Sequence, residues 1–221
     1  MSQSKLKIVI FDMDGLLVDT ERVYRDGWQY ATKQHGVDLP EHMFQGWVGK
    51  GYHETTNALV ELTNDPQLVQ EIRKTRENYF YQELEAGRVE AKPYAKEALQ
   101  AAKENYTVAL ATSTMGERAR NVLETLGFLQ YIDHPVFGDE VEKLKPAPDL
   151  YLEALRRAGF SAGEGVAVED SITGSQAAEN AGLPVLMVPD SNFELDVEKV
   201  PAGVVKRGKD LRIVLEYLEK H

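Results

Sequence analysis

The chain has 221 residues, 43% of them hydrophobic, with 36 acidic against 25 basic side chains and a net charge of −11. That is enough apolar material for at least one good core, and the length alone allows one domain or two. The absence of cysteine excludes disulfides, thiolate nucleophiles and cysteine-built zinc sites, and an acidic balance without a basic block disfavours a nucleic-acid or anionic-membrane surface.

The N-terminal stretch MSQSKLKIVIF has an apolar run too short for a signal h-region, and no segment approaches the roughly 20 apolar residues of a membrane span. The expectation is a soluble, cytoplasmic protein. Lys7 to Phe11 reads as a first strand, and FDMDGLLVDTE follows it, with Asp12 and Asp14 two residues apart and Gly15 behind them. From Thr20 to about Arg88 the apolar residues keep a helical period through ERVYRDGWQYATKQHG, YHETTNALVELT and PQLVQEIRKTRENYFYQELEAG, with no clear strand. This predicts an all-helical insertion after the first strand. Within it, GWVGKGY has its glycines too close together for a P-loop, and Gly51 stands where that loop needs Ser or Thr. RKTRE, with Arg73, Lys74 and Arg76, reads as one solvated helix face. Tyr24 and Trp28, one helical turn apart, either face a site or pack the bundle, with packing favoured for Trp28.

From about Tyr94 a different texture repeats, a helical segment followed by a short apolar run. PYAKEALQAAKEN and YTVALA are helix and strand, and ERARNVLETLGF is a helix stopped at Gly127. HPVFG is a short strand, and PDLYLEALRRAGF is a helix with Pro148 near its first turn and Gly159 at its end. GVAVED, SITGSQAAENAGL and PVLMVPD give strand, helix and strand, and GKDLRIVLEYLEKH closes the chain as an amphipathic helix. Strands alternating with helices of this length predict an α/β fold, a Rossmann-like doubly wound parallel sheet. Its sheet domain is discontinuous, residues 1–17 and 92–221, and is interrupted by the helical domain 18–91.

Ligands of doubly wound sheets bind at the carboxyl ends of the strands. Four polar sets fall there: Asp12 and Asp14, Thr112 with Ser113, Lys145 in KLKPAPD, and Glu169 with Asp170. Carboxylates converging on one crevice repel each other unless a cation sits among them, and an all-oxygen set suits Mg²⁺.

The segments DMDGLLVDT, ATST, KPAPDLY and VEDSITG, in this order and spacing, resemble the four motifs of the haloacid dehalogenase-like hydrolase superfamily. The helical insertion is similar to the small α-helical cap of its β-phosphoglucomutase-like and sugar-phosphatase branch. The resemblance implies that Asp12 is a nucleophile passing through an aspartyl-phosphate, and that Asp14 protonates the leaving alkoxide and then activates water. It further implies that Thr112 hydrogen-bonds the transferring phosphoryl group and that Lys145 neutralises charge between nucleophile and phosphoryl group. Asp12, the backbone carbonyl of Asp14, and Asp170 would hold Mg²⁺, with Glu169 a further ligand or a neighbour of the ligands. Ser113, Lys50, Tyr24 and His53 are the expected substrate-binding residues, with Gly46, Trp47, Gly49 and Lys50 on a substrate-facing loop. LLVDT and AGRVEAKPY would be the linkers to the cap.

Mutase members of the branch carry a His where Tyr24 stands and an Arg in the following cap loop, and no Arg lies between Arg25 and Arg73. Hydrolysis is therefore favoured. The expected activity is a Mg²⁺-dependent phosphatase for a small phosphorylated metabolite, a sugar or polyol phosphate, acting as a monomer or weak homodimer without nucleic acid or membrane. A phosphosugar mutase is the alternative, and a non-catalytic binding module on the same scaffold stands behind both. Dehalogenase and phosphonatase chemistries fit less well, since Asp14 suits phosphoester acid catalysis and no cap lysine stands ready for a Schiff base.

Overall fold

The structure is a computed structural model and describes residues 6–45, 47, 52–190 and 195–221. In chain order the elements are β1 (Ile8–Phe11), α1 (Thr20–Gln34), α2 (Glu41–Gln45), α3 (Tyr52–Thr63), α4 (Pro66–Glu85), α5 (Ala95–Asn105), β2 (Thr107–Ala111) and α6 (Gly116–Thr125). They continue with β3 (His134–Val136), α7 (Asp149–Ala158), β4 (Gly165–Glu169), α8 (Ile172–Asn180), β5 (Val185–Met187), β6 (Val204–Arg207) and α9 (Arg212–Leu218). The chain divides into two compact units, one formed by the residues up to Asp19 together with Ala91–His221, the other by Thr20–Glu90.

The first unit is an α/β sheet domain. All four residues of β1 are buried, as expected of a strand covered on both faces. The sheet is parallel throughout, in the order β3-β2-β1-β4-β5-β6. The chain builds outward from β1 through β2 to β3, then returns to the far side of β1 for β4, β5 and β6. The reversal falls between β1 and β4, where a doubly wound sheet opens a crevice beyond its strand ends. Phe11 pairs in register with Leu110 on one side and Val168 on the other. Asp12 and Glu169 therefore come level at the mouth of that crevice.

One sheet face, with Ile8, Ile10, Ala109, Ala111 and Ala167, packs under α7 and α8 through Leu150, Tyr151, Ala154, Ala177 and Ala178. The alternate residues Val9, Phe11, Val108 and Leu110 point the other way and are also fully buried. α5 packs against β2 and α9. The strands and long helices agree with the sequence expectations, but β6 was not among them. Its segment VVKR alternates between half-buried and exposed residues at the sheet edge, so it lacks the apolar run that marks the inner strands.

The helical unit is built around Trp28, Ala31, Phe44, Trp47, Leu59, Val69 and Ile72. α4 starts cleanly because Asp65 accepts the N–H groups of Gln67 and Leu68, each at 3.0 Å, and Pro66 occupies the first turn. Two expectations are corrected here. Trp47, read as part of a substrate-facing loop, is buried, with its ring edge against Trp28 at 5.3 Å. Burying an indole of that size against a second one is favourable by roughly several kcal/mol and ties Trp47 to the bundle core. Arg73 and Arg76, read as solvated, are buried and half-buried on α4: the Arg73 guanidinium donates to Thr55 Oγ1 at 2.6 Å, and both guanidinium groups cover the Trp28 ring, at 5.2 and 4.8 Å. Their stems and planar heads pack on aromatic surface, which arginine tolerates far better than its formal charge suggests.

The two segments that connect the units are paired within the sheet domain. Val18 and Ala91 form an antiparallel bridge, and the Lys92 N–H donates to the Leu17 carbonyl at 2.9 Å. The Lys92 ammonium lies 3.0 Å from Asp190 and 3.5 Å from Asp19.

Candidate active site

Asp12 leaves β1 still in the sheet ladder, its N–H donating to the Val168 carbonyl at 3.0 Å, and its side chain is buried. Glu169 ends β4 with no exposed surface, and Asp170 follows it. Oxygens of Asp12, Glu169 and Asp170 all lie within 4.8 Å of one another. Lys145 enters from the loop before α7 and bridges two of them, donating to Asp12 Oδ1 at 2.5 Å and to Glu169 Oε1 at 2.7 Å. Its side chain is only 8% exposed, so the ammonium is committed to these partners.

Two buried carboxylates and the half-buried Asp170 thus stand around one ammonium, which bonds Asp12 and Glu169, and the charge does not balance. Burial pushes Asp12 up to about 8, against the pull of Lys145 and with further push from Glu169 and Asp14. Asp170 is likewise driven well above the ordinary carboxylate range, by burial first and then by Glu169 and Asp12. Burial works against the charge on Lys145, but Asp12 and Glu169 together outweigh it and hold the ammonium protonated beyond its usual range. A cluster of this kind takes up either a proton or a cation. The donors are all hard oxygens, which fits a divalent cation bound by carboxylates rather than a thiolate or imidazole metal.

Local backbone makes the crowding possible. Gly15 has φ of +80°, and a Cβ there would lie 2.2 Å from Asp170 Oδ2. Gly174, in the first turn of α8, lies against the face of the Glu169 carboxylate, where a Cβ would fall 2.0–2.1 Å from its Oε1, Cδ and Oε2. Ser171 caps α8 by accepting the Gly174 N–H at 3.0 Å, and its hydroxyl reaches Glu169 Oε2 at 3.3 Å.

Asp14 has a different environment from Asp12. Its Oδ2 accepts the hydroxyls of Thr114 at 2.7 Å and Thr112 at 3.2 Å, and the Thr114 N–H donates to Thr112 Oγ1 at 3.1 Å. Asp14 is therefore held by hydroxyls, near enough to Asp12 for its charge to push on that carboxyl group. Of the residues expected from sequence, the structure brings Asp12, Lys145 and Glu169 into direct contact, sets an Asp170 oxygen within 4.8 Å of both carboxylates, and joins Asp14 to Thr112. Ser113 is exposed. Tyr24, in the helical unit, stacks on Phe80 at 5.2 Å with the Arg76 guanidinium 5.3 Å from its ring. Lys50 and the side chain of His53 lie outside the described residues.

Three participants were not foreseen. Thr114 is two residues beyond Thr112, so the alternation of extended chain could have marked it. Gly174 is visible only once Glu169 is placed. Tyr151 donates its hydroxyl to Glu169 Oε1 at 2.6 Å from a fully buried position on α7, and in sequence it is indistinguishable from its core neighbours Leu150, Ala154 and Leu155.

The sequence profile described as haloacid dehalogenase-like hydrolase matches residues 9–188. A phosphorylated carbohydrates phosphatase of Thermotoga maritima is 32% identical over 182 residues, covering 80% of this chain and 82% of that protein. The fructose-1-phosphate phosphatase YqaB of Escherichia coli is 28% identical over 180 residues, covering 81% of this chain and 95% of that protein. A crystal structure from Thermotoga maritima, assigned provisionally as a β-phosphoglucomutase, is 29% identical and superposes with a TM-score of 0.79 over 97% of this chain and 99% of that one.

Proposed function

The chain belongs to the haloacid dehalogenase-like hydrolases, as an enzyme of their phosphoric monoester hydrolase kind, and from that premise we propose that it is a Mg²⁺-dependent phosphatase of a small sugar or polyol phosphate. The observation that carries this reading is the division of two neighbouring carboxylates into separate environments. Asp12 is paired with a buried ammonium, and Asp14 is held by two threonine hydroxyls.

In the proposed reaction an Asp12 oxygen attacks phosphorus in line as the ester oxygen departs, leaving the phosphoryl group on Asp12. Asp14 gives its proton to the departing alkoxide, then takes one from the water that attacks the aspartyl-phosphate, so that Asp12 is restored and phosphate released. Asp12, beside the Lys145 ammonium, is the nucleophile, and Asp14, beside Thr112 and Thr114, exchanges the proton. Lys145 neutralises charge shared between Asp12 and the phosphoryl oxygens, and Thr112 orients both Asp14 and the phosphoryl group. Asp12, Asp170 and the Asp14 carbonyl would hold the Mg²⁺, whose contribution is to offset charge on the phosphoryl oxygens. The helical unit serves as the cap that selects the substrate, with residues 18–91 as its extent.

Sugar phosphates are favoured by the two named phosphatase relatives. Hydrolysis is favoured over mutase chemistry because the cap position expected to carry a mutase His holds Tyr24, stacked on Phe80. The test is phosphate release from a panel of sugar, polyol and other small phosphomonoesters, with Mg²⁺ or EDTA. Mg²⁺-dependent release from a few sugar or polyol phosphates supports the reading. Conversion of a sugar 1-phosphate to its 6-phosphate without release of phosphate replaces it with the mutase.

A further inference from the structure

Glu169 raises a problem that the proposed chemistry does not solve. It contributes an oxygen to the carboxylate group, yet both of its oxygens already have protein donors. Oε1 accepts Lys145 at 2.7 Å and Tyr151 at 2.6 Å, and Oε2 accepts the Asp170 N–H at 3.2 Å and the Ser171 hydroxyl at 3.3 Å. The Tyr151 ring also lies beside the ammonium it shares, with Lys145 Nζ 5.2 Å from the ring centroid.

We propose that Tyr151 is a positioning residue for phosphoryl transfer: its hydroxyl holds Glu169 Oε1 so that Glu169 anchors Lys145 against Asp12 instead of turning to the cation. The proposal rests on the phosphatase reading. Its physical basis is competition for one oxygen. With two donors on Oε1, neither the ammonium nor a cation gains the full charge of Glu169. Lys145 is then left with a share of its charge for Asp12 and the phosphoryl group. Remove the hydroxyl, and Glu169 is held less firmly against Lys145 and becomes a better partner for Mg²⁺.

Tyr151 is suited to this task. It has no exposed surface and is fixed by the packing of α7 on the sheet. Its hydroxyl lies 2.6 Å from a carboxylate oxygen, which can only accept, so the tyrosine is the donor. Phe fills the same space without the donor, which makes Tyr151→Phe a deletion of one hydrogen bond rather than of core volume.

The test compares wild type and Tyr151→Phe in two ways: steady-state hydrolysis of p-nitrophenyl phosphate, and direct calorimetric titration of substrate-free protein with Mg²⁺. The expected result is a fall in kcat of roughly tenfold with KM within about twofold, and a Mg²⁺ Kd tightened by about threefold or more. A residue that only packs the core would not tighten a cation. In a Glu169→Gln background the same substitution should change kcat by less than about twofold, because the route through the carboxylate is already gone. If Tyr151→Phe leaves kcat and the Mg²⁺ Kd both within about twofold of wild type, or if its effect persists undiminished in Glu169→Gln, the proposal is overturned. Wild-type protein that binds Mg²⁺ but releases phosphate from neither p-nitrophenyl phosphate nor any sugar phosphate overturns the phosphatase reading instead.

Discussion

Adding one methyl group at Gly174 sets two effects of opposite sign against each other. Ala is a better helix former than Gly by about 1 kcal/mol, so by propensity Gly174→Ala should stabilise α8. The structure predicts the reverse. The new Cβ would lie 2.0–2.1 Å from three atoms of the Glu169 carboxylate, well inside contact distance, and the carboxylate would have to move. Glu169 is fully buried and holds Lys145 and Tyr151, and separating a buried ion pair from its partners costs about 3–5 kcal/mol. The net destabilisation is then about 2–4 kcal/mol, which for a chain of this size lowers the melting temperature by roughly 5–15 °C. Calorimetry in EDTA, following the transition of the sheet unit, measures it without masking by bound cation. The variant should also lose most of its phosphatase activity, since Lys145 loses its anchor. A melting temperature equal to or above that of wild type would refute the packing of Glu169 on Gly174 and the reasoning built on it.

Thr114→Val removes the shorter of the two hydroxyl contacts to Asp14. It should reduce kcat about five- to twentyfold in steady-state assays while changing stability by no more than about 1 kcal/mol. In cation-free protein, Asp12 is raised to about 8 from an unfolded value of 3.8. The folded state then binds more protons than the unfolded state between those values, so stability is greatest below pH 4 for this group and is lost as pH rises through 8. Thermal melts in EDTA from pH 6 to 9 should show this decline in wild type and a flatter curve in Asp12→Asn. Arg73→Ala should destabilise the helical unit by about 2–3 kcal/mol, because it strips the donor from Thr55 and the cover from Trp28. Denaturation followed by tryptophan fluorescence checks it, and a change below about 0.5 kcal/mol would restore the solvated reading.

The parallel sheet and the inserted helices were legible because their signals are local. IVIF, TVALA and GVAV are short apolar runs, and the helical stretches keep their period over three or more turns. The polar residues that break those runs mark the strand ends, so Asp12, Thr112, Glu169 and Asp170 could be placed in one crevice before any coordinates. β6 was missed because an edge strand of four residues with two cations carries no such run. Arg73 and Arg76 were misjudged by residue type, although Val69, Ile72, Arg73, Phe80 and Leu84 together trace a buried helical stripe that holds Arg73, with the half-buried Arg76 beside it. Tyr151 and Gly174 answer to nothing in their own segments. Their roles arise from the approach of α7 and α8 to Glu169, a contact between parts of the chain that sequence periodicity does not connect.

The central claim is that Asp12, of the acidic pair behind β1, carries the phosphoryl group. The most direct measurement quenches the enzyme in acid during Mg²⁺-supported turnover of a sugar phosphate that it hydrolyses and maps the modified residue by peptide mass spectrometry. The account predicts a phosphoryl group on Asp12 in wild type, with neither modification nor phosphate release in Asp12→Asn. Turnover with Asp12 unmodified and a phosphoryl group on another side chain, or undiminished release by Asp12→Asn, would contradict it.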